Sequence, residues 1–131
     1  MKAILIILML FGFTAAKAQL ITPNQTADSD LVFVTAQIEP QFPGGPTAWG
    51  LFLKDYKLKQ VIAPSSNAAT LTFVVDSHGY VSKVNIENAN LIDKGLLNNT
   101  EAMAKKLPQW KSAVQNGYNI TFRVRKYIAL L

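Results

Sequence analysis

The chain has 131 residues, no cysteine, a single histidine and a formal net charge of +5. Those counts exclude a disulfide framework, thiol nucleophiles and metal centres built from Cys and His clusters, since each needs more of these side chains than the chain holds. The charge comes from 13 basic residues scattered among 8 acidic ones, without the basic runs of a nucleic-acid-binding surface, which argues against nucleic acid as a partner.

At the N-terminus, Met1 and Lys2 precede an apolar run from Ala3 to Phe13, and Ala16 and Ala18 follow as a small-residue pair. This layout predicts a signal peptide over residues 1–18, cut after Ala18. The alternative is a retained membrane anchor, yet the run is shorter than the roughly 18–20 apolar residues a spanning helix needs. Cleavage takes Lys2 and Lys17 away, lowering the formal charge from +5 to +3. What remains is enough for one domain that buries somewhat over about 60% of its unfolded surface. Residues 19–30 are polar, without an apolar period, and read as a flexible lead-in to a domain over residues 31–131.

Residues 31–38 alternate with apolar content on both faces and predict a strand that Pro40 and Pro43 end. Gly44-Gly45-Pro46 predicts a sharp corner into a helix, because proline suits a first helical turn where its missing N–H would have no partner. Trp49, Phe52, Leu53 and Tyr56 form one stripe of that helix, which is expected to reach about Tyr56. Residues 57–68 carry no regular pattern.

A β-hairpin is expected next. Residues 69–75 place Leu71, Phe73 and Val75 on one face, Asp76-Ser77-His78-Gly79 makes the turn, and residues 80–87 return. Asp93 then caps a second helix whose apolar face is Leu96, Leu97, Thr100, Met103, Ala104 and Leu107. Pro108 stops it, and Trp110 brings a large ring expected to be buried against the sheet. Gln115-Asn116-Gly117 turns the chain into a last strand over residues 120–130, with Ile120, Phe122, Val124, Ile128 and Leu130 on one face and Arg123 and Arg125 on the other. Lys126 interrupts the apolar face, a signature of an edge strand or a bulge. Together these elements predict an α+β, two-layer sandwich: a small antiparallel sheet with two helices packed on one face.

No catalytic constellation emerges. His78 sits in a turn signal, the carboxylates are dispersed, and Gly44-Gly45 lacks the spacing of a phosphate loop. The chain is therefore read as a non-enzyme with no cofactor.

Four stretches carry a resemblance. They are Ile38-Glu39-Pro40-Gln41-Phe42-Pro43-Gly44-Gly45, the hairpin through Asp76-Ser77-His78-Gly79, Leu107-Pro108-Gln109-Trp110-Lys111 with Gln115-Asn116-Gly117, and Phe122-Arg123-Val124-Arg125. In this order they resemble the TonB C-terminal domain family, especially the form in Bacteroidetes-type exported proteins. The resemblance spans about residues 31–131, with Pro43, Gly44, Gly45, Gly79, Pro108, Trp110 and Gly117 as its structural motif. It implies a periplasmic domain that grips the N-terminal segment, the TonB box, of an outer-membrane transporter by β-augmentation. The resemblance also implies that the receiving edge is the last strand, at Thr121, Phe122, Arg123, Val124, Arg125, Lys126, Tyr127 and Ile128.

The chain departs from the family in three ways, one of them that Ala68-Ala69 stands where a glycine is usual before the hairpin. A complete energy transducer of that family has a membrane-anchored helix and a long proline-rich spacer, whereas here a leader and about a dozen residues precede the domain. The Tyr-Pro pair usual after the first helix is replaced by Tyr56-Lys57. Two functions are therefore expected as alternatives. One is a TonB-like periplasmic module that takes part in, or modulates, TonB-dependent transport, with inner-membrane attachment if the leader is retained. The other is a standalone interaction domain of the same fold that binds another envelope protein or a glycan. A homodimer is compatible with either.

Overall fold

The computed structural model describes residues 31–131; the expected leader and lead-in, residues 1–30, lie outside the described residues. Residues 32–131 form one unit with an α+β architecture. In chain order its elements are α1 (Gly45–Lys54), β1 (Leu58–Val61), β2 (Ala69–Val75), β3 (Val81–Ile86), a short 3-10 turn (Ala89–Leu91), α2 (Lys94–Ala104), β4 (Ala113–Gln115), β5 (Tyr118–Ile120) and β6 (Phe122–Leu130). Four strands make an antiparallel sheet in the order β1-β6-β2-β3, and β4 and β5 pair separately.

The sheet buries one face under both helices. Ala69, Leu71, Phe73 and Val75 of β2 meet Phe122, Val124 and Ile128 of β6 on that face, and α1 adds Trp49 and Leu53 while α2 adds Leu96 and Met103. Period-2 spacing on the strands and a single stripe on each helix leave this as the arrangement that covers all of them at once. At about 25 cal/mol per Å2 of apolar surface removed from water, burial of such side chains is the main favourable term in folding.

Helix α1 starts where Gly44 and Gly45 adopt φ of 93° and 85°, a conformation other residues rarely take, and Pro46 occupies its first turn. It ends at Lys54, slightly short of Tyr56, in a tighter turn with Tyr56 N–H donating to Leu53 O. Helix α2 begins at its expected cap: the Asp93 carboxylate accepts from the N–H groups of Gly95 at 2.9 Å and Leu96 at 3.2 Å. Caps of this kind contribute about 1 kcal/mol. Asn88 ties down the start of β2, accepting from Thr70 N–H and donating to Ala68 O.

Three expectations are corrected. Residues 31–38 are not a strand, because the segment changes partner: Phe33 bridges β6 in parallel, whereas Ile38 and Gln41 bridge Val114 and Lys111. No single ladder can form along a segment that serves two sheets. The unassigned stretch 57–68 contains β1, whose four residues show only Leu58 buried. Finally, the last strand is not an edge strand and carries no bulge. β6 runs in unbroken register with β2 from Phe122 to Ile128 and has β1 on its other side; the sheet's irregularity lies between β2 and β3 instead, where Lys83 takes φ 53°.

Candidate functional site

The residues singled out in the sequence fall into two groups, a frame and a strand. The frame is built around Trp110, which is buried and meets Trp49, Phe42 and Phe73 edge-on at ring-centroid distances of 5.3, 5.6 and 5.2 Å. Phe42 comes from the corner before α1, and its carbonyl accepts from Gly45 N–H. Pro43 and Gly44 thus aim Phe42 and Trp49 at the ring that follows Pro108.

Gly79 joins the same assembly. Its N–H closes the hairpin turn on Asp76 O, while the Asp76 carboxylate accepts from His78 and Tyr80 N–H. Its carbonyl accepts from Trp110 N–H at 2.8 Å, and Gln109 Nε2 donates to His78 O. The hairpin turn and the segment after α2 are thereby clasped backbone to backbone. Asn116 and Gly117, with φ of 52° and 81°, form the two-residue turn between β4 and β5. The motif residues are therefore architectural, and His78 contributes main-chain contacts to the turn. No group of three or more His, Cys, Asp or Glu side chains suited to a metal occurs among the described residues.

The strand group, Thr121 to Ile128, lies along β6, and its backbone is divided among three neighbours. The whole segment from Phe122 to Ile128 is in register with β2, and the peptide groups of its even-numbered residues face that strand. Odd-numbered residues point the other way, where Arg123 N–H donates to Phe33 O, Phe33 N–H donates to Thr121 O, and Leu131 N–H donates to Lys57 O. β1 reaches only as far as Val61, opposite Tyr127. Between Val61 and Phe33, the peptide groups of Arg125 face no strand among the described residues. The expected receiving edge is thus taken at both ends and open for a short stretch in the middle.

The two true edges of the sheet differ. β3 is exposed along its middle and broken by the bulge at Lys83, both of which oppose pairing with another strand. β1 is short but regular. Its register with β6 directs the peptide groups of Lys59 and Val61 inward, so those of Leu58 and Gln60 point away from the sheet. Gln60 is held from inside by Trp49 Nε1, which donates to its Oε1. β1 leaves little trace in the sequence because Lys59 and Gln60 are polar and exposed; the buried Leu58 is the only local signal.

Lys126 lies on the helix-covered face, directly opposite Leu71. Desolvation by burial lowers its pKa from the ordinary lysine value, and the Glu39 carboxylate opposes that shift in part. Because the folded pKa lies below the unfolded one, the unfolded chain holds more protons in the window just under 10.5, and stability rises as pH climbs through it. Lys126→Met is expected to stabilise the protein slightly at pH 7, the gain being limited because part of the lysine side chain remains in water, and to remove that alkaline rise. Urea denaturation at pH 7 and pH 10 measures both; a variant less stable at pH 7 would mean that Glu39 outweighs burial.

Comparison of the chain with protein-family models, curated proteins and solved structures finds no match.

Proposed function

We propose that this protein is a TonB-like periplasmic module that captures an extended N-terminal segment of outer-membrane transporters by β-augmentation, and so takes part in or modulates TonB-dependent transport. The observation that carries the reading is the unpaired backbone on the β1 side of the sheet, in β1 itself and at Arg125 of β6, beside the packed core. Strand addition needs only such backbone, and it asks little of the partner's sequence. The motif order in the chain supplies the partner class.

Magnitude fits the role. Each added main-chain hydrogen bond contributes a net of about 0.5–1.5 kcal/mol, so about four of them give about 2–6 kcal/mol, which corresponds to weak, exchangeable capture near the millimolar range. A second reading rests on the position of β6, which is not the free edge the resemblance implies: the same fold serving as an interaction domain for another extended envelope partner. Titration of the purified protein with peptides from the N-termini of outer-membrane transporters of the same genome separates the two. Saturable binding supports the transport reading, and no binding at millimolar peptide removes it.

A further inference from the structure

We infer that the strand receiving the partner is β1 rather than β6, and that the partner is an extended peptide with aliphatic side chains on one face and acidic ones on the other. This rests on the peptide-capture reading above and adds the place and the chemistry.

The place follows from backbone direction. Leu58 and Gln60 present their N–H and C=O groups outward along the edge, so a strand laid there would pair with both and continue the register of β1 with β6. Beside that edge runs an open groove between α1 and β1, lined among others by Leu51, Lys54, Gln60 and Leu131. Its helix wall carries Leu51, which is 59% exposed, and its far end carries Leu131, 66% exposed, whereas the floor is the buried Trp49 and Leu53. The open stretch of β6 at Arg125 is flanked by Val61 and Phe33 and has room only for a few residues unless Phe33 leaves.

The chemistry follows from the side-chain alternation. Residues of an added strand that lie opposite Leu58 and Gln60 project to the helix side, toward Leu51, and favour aliphatic groups. The intervening residues project to the other face, where Lys59 stands, and the exposed Lys54 and Lys57 flank the two ends of the turn into β1. Asp55 is the acidic residue within that turn, so the edge is net basic and selects carboxylates. The same lysines oppose pairing of β1 with β1 of a second copy, which would bring like charges together.

The test uses the full protein and two variants at exposed positions, Leu51→Asp and Lys59→Glu, whose folding is checked by thermal denaturation. Probes are the transporter N-terminal peptides and a synthetic octapeptide of alternating valine and glutamate, with a valine–lysine counterpart. The glutamate peptide is expected to bind wild type at least tenfold more tightly than the lysine peptide. Leu51→Asp should weaken it at least tenfold, and Lys59→Glu should shift preference toward the lysine peptide. If transporter peptides bind and both variants leave their affinity unchanged, β1 is not the receiving strand although peptide capture stands. If no peptide binds wild type, capture itself fails and this assignment with it. A dimer that Leu51→Asp dissociates would make a second copy the occupant and overturn the assignment of an acidic peptide.

Discussion

Gly79→Ala is expected to destabilise the protein by about 3–5 kcal/mol, near the upper end of what single substitutions do. Two effects add. Gly79 has φ 89°, where an L side chain is strained, and a Cβ there would overlap the carbonyl oxygen of Trp110. The overlap is with backbone, which cannot rotate away as a flexible side chain would. Relief requires the segment after α2 to move, and that sacrifices the hydrogen bond from Trp110 N–H to Gly79 O. Domains of this size have about 5–15 kcal/mol of stability in all, and each kcal/mol moves the melting temperature by about 4–8 °C. Melting temperature and urea midpoint are the measurements; a loss below about 1 kcal/mol would show that the turn relaxes without disturbing Trp110.

Trp110→Ala is expected to cost about 3–5 kcal/mol, because it leaves a cavity among Phe42, Trp49 and Phe73. Trp110→Phe should cost much less, about 1–2 kcal/mol. The buried indole Nε1 has no hydrogen-bond partner among the described residues, so phenylalanine removes an unpaired donor together with part of the ring. The comparison is diagnostic. A Phe variant as unstable as the Ala variant would mean that the indole N–H is bonded after all and that the ring's role is polar as well as apolar. Since Trp49 packs on Trp110 and also holds Gln60 of β1, the Ala variant should weaken peptide capture along with stability, while the Phe variant should retain most of it.

Much of the frame is legible in the sequence. The cap at Asp93, the corner at Gly44 and Gly45, the hairpin turn at Gly79 and the burial of Trp110 each depend on a residue whose chemistry restricts the local backbone or demands shelter from water. The α+β sandwich follows from the faces those elements must bury. The candidate binding edge is less legible. Lys126 has the pattern of an edge-strand lysine, yet in the fold it sits on the helix-covered face of an interior strand, where its aliphatic stem is packed and its ammonium is partly desolvated. An interruption in an apolar face reports that one position is tolerant, and it does not report which strand lies alongside.

The turns, the helix starts, the buried faces and the absence of Cys and clustered His chemistry are thus set in the sequence, because each is a property of one side chain or a short periodic run. It took the packed fold to establish that residues 58–61 are a strand, that β6 lies between β1 and β2, that residues 31–38 divide between two sheets, and that Gly79 meets Trp110. Those features are made by main-chain hydrogen bonds and close backbone approach between distant segments. Every residue other than proline offers the same N–H and C=O groups, so pairing leaves no distinctive mark in the sequence until the packing of side chains brings the partners together.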